Sequence, residues 1–264
     1  MYNSNDTDNL KKIIKKYKPA YDKYLNNTIS EEKIQDYVSS ICDLIYADTA
    51  GIYVYSMLNE MRLDNIKYCC EYAINNNIPG DFLEAGVWRG GTGILMKDYA
   101  NKLKSSKKVY LLDSFEGMEN LESEETSHLS HPVDILCSKV LNDMEKYFGR
   151  TIIKTSIEEV TNNFKHFDLY DSNVIMMKGW FNDEFPFNKI NSLSVIRLDC
   201  DYYYPTKICL EHLYPKLSKG GFVILDEYYL EFMGEKYAVD EFRQKYNITE
   251  KIIRVDSNVA FWQK

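Results

Sequence analysis

From Asp81 onward the chain repeats one pattern, a short apolar run followed by a stretch with helical spacing. Phe82–Ala85, Val109–Leu112, Val174–Met177, Val195–Leu198 and Phe222–Leu225 are nearly continuous in apolar residues rather than alternating with polar ones. Strands read this way when helices cover both faces of their sheet. Between these runs, Thr92–Leu103, Ser156–Phe167 and Thr206–Leu217 have the spacing of helices. Such alternation predicts a parallel sheet. The chain then closes differently. Val239–Tyr246 reads as a helix, and Lys251–Val255 and Val259–Trp262 are separated only by Asp256-Ser257-Asn258, a turn short enough for an antiparallel hairpin. The expected fold is α/β, a doubly wound Rossmann-like architecture with a seven-stranded, mostly parallel sheet and a C-terminal antiparallel hairpin.

Two segments stand outside the alternation. Residues 1–80 form an N-terminal helical appendage. Thr28 and Glu31 have the spacing of a capping box that opens a helix running to about Tyr46. A second helix places Leu58, Met61, Asn65, Ile66, Cys69 and Ala73 on roughly one face and stops at Pro79-Gly80. Such helices serve as a lid or a packing surface, and helices before a core often mediate pairing, so a homo-oligomer is expected. The core, 81–264, carries an insertion at 116–155. There Pro132 suits a first helical position. Val133, Leu136, Cys137, Val140, Leu141, Met144, Tyr147 and Phe148 follow one helix face, and Gly149 ends it. This helix is expected to pack on the core rather than act in catalysis. The acidic loop Glu119–His131 before it is placed to fold over a ligand. The whole is effectively one domain.

Composition narrows the function. Among 264 residues, Lys+Arg number 32 and Asp+Glu 40, a net charge of -8, which disfavours a binder of phosphate backbones. No nucleic-acid partner is expected. No apolar run approaches the roughly 20 residues of a membrane span, and Met1–Asn9 lacks the apolar centre of a signal peptide. The expectation is a cytoplasmic protein without a transmembrane segment. Cys42, Cys69, Cys70, Cys137, Cys200 and Cys209 are scattered with no C-x-x-C pair, which argues for reduced thiols over a disulfide framework or a zinc site.

In an open parallel sheet, ligands bind beyond the carboxyl ends of the strands. After the first run, Asp81–Gly93 reads DFLEAGVWRGGTG, and Gly86, Gly90, Gly91 and Gly93 allow close backbone approach at a helix N-terminus. The spacing is not G-x-G-x-x-G, and Glu84 would repel a pyrophosphate while suiting a cationic amino group. S-adenosylmethionine, with its ammonium and sulfonium, fits that environment; a tight turn chosen for packing is the alternative. Asp113, with Ser114 beside it, ends the second run 20 positions after Gly93, where a carboxylate in such folds accepts ribose hydroxyls. Capping of the next segment is its plainer role. Trp180 and Phe181 follow the third run and suit stacking on adenine, although aromatic pairs more often lie in cores.

The fourth and fifth ends bring acids together: Asp199 and Asp201 in VIRLDCDYYYPT, Asp226 and Glu227 in GGFVILDEYY. Carboxylates so close must be protonated, paired or neutralised by a cation. Oxygen ligands without nearby His or paired Cys point to Mg²⁺ rather than zinc, and such an ion lowers the pKa of a bound hydroxyl. Pairing with Arg197, Lys207 or a helix N-terminus is the structural alternative.

These residues resemble the macrocin O-methyltransferase family, whose members methylate sugar hydroxyls of macrolides and other glycosides. The similarity runs from about Arg62 to the C-terminus; EAGVWRGG, RLDCDYYYPT and LDEY are its most specific parts. It implies a class I methyltransferase fold, S-adenosylmethionine as donor and Mg²⁺ as helper. By the resemblance, Glu84, Gly86 and Gly90 fall on the cofactor loop, where Gly91 is a further candidate, Asp113 on the ribose carboxylate, and Asp199, Asp226 and Glu227 on the metal triad. The family usually has two aspartates where this chain has Asp226-Glu227. Asp199 is the implied base or hydroxyl-orienting group, with Asp201 in reserve. The implied acceptor is a small sugar or glycoside, in a glycan or a nucleotide sugar. A phenolic acceptor keeps the same fold and acids, and a non-catalytic cofactor-binding module is the reading from another class. Of 22 tyrosines, Tyr202, Tyr203, Tyr204, Tyr228 and Tyr229 are expected near the acceptor, where rings stack on sugars.

Overall fold

The computed structural model describes residues 55–121, 131–148, 153–230 and 233–264, together with Lys12, Lys15 and Lys16. The helix expected over 28–46, and His128 with most of the acidic loop, lie outside the described residues.

Each of the five apolar runs is a strand of one sheet: β1 (Asp81–Ala85), β2 (Val109–Asp113), β3 (Val174–Lys178), β4 (Leu193–Leu198) and β5 (Leu217–Leu225), all parallel. The expected hairpin is β6 (Ile253–Arg254) and β7 (Ala260–Gln263), antiparallel to each other, with β7 antiparallel to β5. The seven strands lie in the order β3-β2-β1-β4-β5-β7-β6. Strand order therefore reverses between β1 and β4.

The helices are α1 (Glu60–Asn75), α2 (Gly91–Lys102), α3 (Pro132–Phe148), α4 (Ile157–His166), α5 (Tyr203–Leu213) and α6 (Gly234–Lys245). Although each strand is largely apolar, its residues still alternate between faces. Phe82, Val109, Leu111, Val195 and Ile224 join one core with α1 and α2. Leu83, Leu112, Ile196, Val223 and Leu225 join the other with α5 and α6. Burying each such side chain contributes about 1.5–3 kcal/mol, and this two-sided burial fixes the register of the sheet.

Several boundaries differ from expectation for identifiable reasons. Helix α5 starts at Tyr203 rather than Thr206, because Pro205 falls in the first turn, where its missing N–H costs nothing; a 3-10 turn at Tyr214–Lys216 containing Pro215 ends it early. Strand β5 extends back to Leu217 through Ser218, Lys219 and two glycines, a polar start that apolar patterning misses. Helix α6 begins at Gly234 rather than Val239; a Cβ there would collide with the Asp134 carboxylate and the Tyr203 amide. On α1 the buried face is Ile66, Cys69, Cys70 and Ala73, whereas Met61 is 57% exposed. Within the insertion helix α3, Val133, Leu136, Cys137, Val140 and Leu141 are buried as expected.

Candidate active site

At the carboxyl ends of all five parallel strands lies a cavity of about 350 Å³. Gly86, Val87 and Trp88 after β1 line it, with Gly91 and Thr92 at the start of α2. Gly86 has φ +85, and a Cβ on it would strike the carbonyl oxygen of Asp199. Only glycine lets β1 and β4 part so closely at the point where strand order reverses. Gly90 also has a left-handed φ of +85, but it does not line the cavity: a Cβ on it would press on Val160 and Phe164 of α4. The Gly91 N–H donates to the Tyr55 carbonyl at 2.9 Å, which draws the segment before α1 over the helix N-terminus.

Asp113 lines the cavity at the end of β2. Its Oδ2 accepts the Val87 N–H at 2.7 Å and its Oδ1 the Phe115 N–H at 2.7 Å. The carboxylate thus joins two loops while each oxygen retains acceptor capacity. Ser114 also lines the cavity, its hydroxyl donating to the Gly117 carbonyl at 2.7 Å. After β3, Trp180 and Phe181 form one wall, Trp180 being 39% exposed.

The acids expected after β4 and β5 converge. Asp199, Asp201, Asp226 and Glu227 all line the cavity, and ligand oxygens of Asp199, Asp226 and Glu227 lie within 4.8 Å of one another. Arg197 is buried among them. Its Nη2 is 2.7 Å from Asp226 Oδ1 and 3.0 Å from Asp199 Oδ2, and its Nη1 is 2.7 Å from Glu84 Oε1. The arginine pairing weighed as an alternative to a metal is therefore present, through Arg197; Lys207 instead pairs with Glu241 at 2.9 Å. A second arginine, Arg62 of α1, reaches Asp226 Oδ2 at 3.2 Å and Asp256 at 2.6 Å.

Glu84 lies behind the cavity wall, with its Oε2 buried and without a hydrogen-bond partner. It is fully buried at the end of β1, does not line the cavity, and its Oε1 accepts from both Arg197 and Thr92. Burial pushes its pKa up to about 7 against the pull of Arg197. The acid expected to meet a cationic amino group instead anchors the guanidinium that organises the other acids.

Charge does not balance in this region. Burial and mutual repulsion hold the carboxyls of Asp199, Asp201, Glu227 and Glu235 above their usual range. Burial alone opposes the charge on Arg197, yet Asp226, Asp199 and Glu84 overcome it and raise its pKa. Glu227 Oε2 is buried with no hydrogen-bond partner. Three hard oxygen donors, one of them orphaned, in an excess of negative charge are a donor set that suits a divalent cation. Asp201 sits at φ +59, a left-handed backbone that Asp tolerates better than most residues.

Away from the acids the wall is largely apolar: Met118, Leu141 and Ile153 from the insertion, and Leu230 and Met233 opposite. The tyrosines expected there are mostly elsewhere. Tyr202 lines the cavity, but Tyr203 bonds Glu241, Tyr228 bonds Asp240, and Tyr229 lies under Arg254. Tyr203 turns away because it opens α5, where successive residues of YYYP point in different directions, and Tyr204 packs against the core of α5 and α6. Apolar periodicity could not have found Arg62, Asp134 or Glu235, since each is defined by a distant partner. Asp134 is fully buried, and its Oδ2 accepts the Tyr203 N–H at 2.8 Å and the His131 N–H at 3.3 Å, joining the insertion to α5. His131 stacks on Tyr237 and His212 on Phe187, outside the acid cluster.

A model of the macrocin-O-methyltransferase (TylF) family matches residues 16–264. Demethyldecarbamoylnovobiocin O-methyltransferase of Streptomyces niveus is 37% identical over 212 residues, 80% of this chain and 76% of its own length. Mycinamicin III 3''-O-methyltransferase of Micromonospora griseorubida is 33% identical over 214 residues, 80% of this chain and 78% of its own. Among solved structures, the O-methyltransferase NovP superposes with a TM-score of 0.71 at 31% identity, covering 86% of this chain and 98% of NovP. With the strand order above, that likeness makes the fold that of the class I methyltransferases. No helix among the described residues is long and apolar enough to cross a membrane.

Proposed function

The chain belongs to the macrocin-O-methyltransferase family and is an O-methyltransferase, and we propose that it methylates a hydroxyl of an uncharged glycoside, with S-adenosylmethionine as donor and Mg²⁺ held by Asp199, Asp226 and Glu227. The observation that carries this reading is the convergence of those three carboxylates on a cavity that also presents Asp113 and Trp180.

Asp113 would accept the ribose hydroxyls and Trp180 would stack on the adenine, while Gly86 and Gly91 keep the loop close to the donor. Bound by the triad, Mg²⁺ supplies positive charge that lowers the pKa of an adjoining hydroxyl. Asp201 is the stronger candidate for the base. Asp199 is engaged by Arg197 at 3.0 Å, whereas the Asp201 carboxyl lines the cavity with no ion pair among the described residues. As the proton passes to Asp201, the acceptor oxygen would attack the methyl carbon in line; the oxygen–carbon bond forms as the carbon–sulfur bond breaks and S-adenosylhomocysteine leaves, and alignment of the two substrates supplies much of the acceleration.

The lining distinguishes between acceptors. Its described cations, Arg62 and Arg197, are both engaged by acids, so neither is free to pair with a pyrophosphate. A neutral glycoside needs no such pairing and can lay an apolar part against Leu141, Ile153 and Met233. This favours the glycoside over the nucleotide sugar. The test is transfer of labelled methyl from S-adenosylmethionine to neutral glycosides, nucleotide sugars and phenols, with and without chelator. Label should reach glycosides and be lost on chelation. Labelled nucleotide sugars would overturn the acceptor reading, and transfer that survives both chelation and Asp199→Ala would overturn the metal reading. No calorimetric binding of S-adenosylmethionine at millimolar concentration would overturn the donor.

A further inference from the structure

The hydrogen-bond ladder between β4 and β5 ends at Leu198 and Leu225, with one further bond from the Asp226 N–H to the Leu198 carbonyl at 3.1 Å. Asp201 and Glu227 lie beyond it, on loops the sheet no longer holds. Asp201 in addition has the left-handed φ of +59. One residue of α6 reaches both. The Glu235 backbone N–H donates to the Asp201 carbonyl at 3.1 Å, and Glu235 Oε1 accepts the Glu227 N–H at 3.0 Å. Glu235 is fully buried, and its Oε2 has no hydrogen-bond partner. Burying a carboxyl beside other acids is unfavourable, so an apolar residue would be better tolerated if packing were the only demand. The residue before it is Gly234, whose missing Cβ lets α6 approach Asp134 and the start of α5 closely enough for Glu235 to reach both loops.

We propose that Glu235 is a positioning residue of the transfer site, holding the loops of Asp201 and Glu227 at a fixed spacing through one main-chain and one side-chain hydrogen bond. Glu227 has a longer side chain than aspartate, so its oxygen is placed well only if its backbone is held. Glu235 touches neither donor nor acceptor. In its effect on metal binding, the inference rests on the reading of Asp199, Asp226 and Glu227 as a divalent-cation site.

Glu235→Ala removes the acceptor, while Glu235→Gln keeps an oxygen at the same reach. Glu235→Asp draws the acceptor back by one methylene and serves if the alanine variant does not fold. Two readouts apply: amide hydrogen exchange at Glu227, which needs no metal, and Mn²⁺ affinity by electron paramagnetic resonance, with Mn²⁺ as a probe for Mg²⁺. Loss of the bond should speed exchange at Glu227 about tenfold relative to Ile224 in the strand. Mn²⁺ affinity should fall about 10–100-fold, as for other residues that orient metal ligands. Glu235→Gln should restore both to within about threefold. Unchanged exchange at Glu227 in Glu235→Ala, or in Glu235→Asp, overturns the proposal, as does a Glu235→Gln protein as defective as Glu235→Ala. If the unaltered protein binds no Mn²⁺, the cation reading fails, and exchange at Glu227 still decides whether Glu235 positions the loop.

Discussion

Arg197 donates from Nη2 to Oδ1 of Asp226 across 2.7 Å, with both side chains buried between β4 and β5. The same guanidinium serves Glu84 and Asp199, so it offsets acids from three adjacent strand ends.

Removal of that guanidinium leaves buried Glu84 with only the Thr92 hydroxyl and buried Asp226 with only Arg62 at 3.2 Å. Arg197→Leu is expected to lower unfolding stability by about 3–5 kcal/mol, read by urea denaturation. Arg197→Lys should recover only part of this, because an ammonium cannot present the guanidinium fork to three carboxylates. A loss under about 1 kcal/mol for Arg197→Leu would contradict the central role of this residue.

Asp201→Asn keeps a residue that tolerates the left-handed backbone and removes the proposed base. The turnover number should drop about 10²–10⁴-fold with affinity for S-adenosylmethionine unchanged by calorimetry. Near-normal turnover would transfer the role to Asp199.

Gly86→Ala introduces a Cβ against the Asp199 carbonyl at a φ of +85. The strain and the displaced β4 loop together should destabilise the protein by about 1–3 kcal/mol and weaken donor binding. Thermal denaturation and calorimetry check the two effects separately.

Asp134 gives a pH prediction. Burial pushes its carboxyl up to about 7 from the usual 3.8, despite the Tyr203 and His131 N–H groups that favour its charged form. Between those values the folded protein holds a proton that the unfolded chain has released. Stability from this group is therefore greatest at low pH and declines as pH rises toward 7. Asp134→Asn removes the dependence. Its stability relative to the unaltered protein should rise by a few kcal/mol from pH 4 to pH 8 and level off above about 7. A flat difference across that range in denaturation experiments would refute the assignment.

The strands were readable because burial on both faces leaves a run such as Val109–Leu112 with no polar choice. The hairpin was readable because its turn is short. Boundaries were less so: Gly234 carries no helix signal in the sequence, and its place in α6 follows from the approach of Asp134. Among site residues, Gly86, Gly91, Asp113, Ser114, Trp180, Asp199, Asp201, Asp226 and Glu227 meet at one cavity, whereas Glu84 and Gly90 do not reach it. Strand-end position indicated where a residue's backbone lies, but not which side of the sheet its side chain would satisfy.

The parallel core, the closing hairpin and the acids at the strand ends follow from local apolar pattern and from position along a strand, and so are written in the order of residues. Tertiary structure alone decided how those acids are held. Arg62 lies 164 residues from Asp226 and Arg197 lies 113 from Glu84, and Glu235 reaches back to two loops at once. A charge in a low-dielectric interior is governed by its neighbours in space. Those neighbours exist only once the sheet has brought the strand ends together.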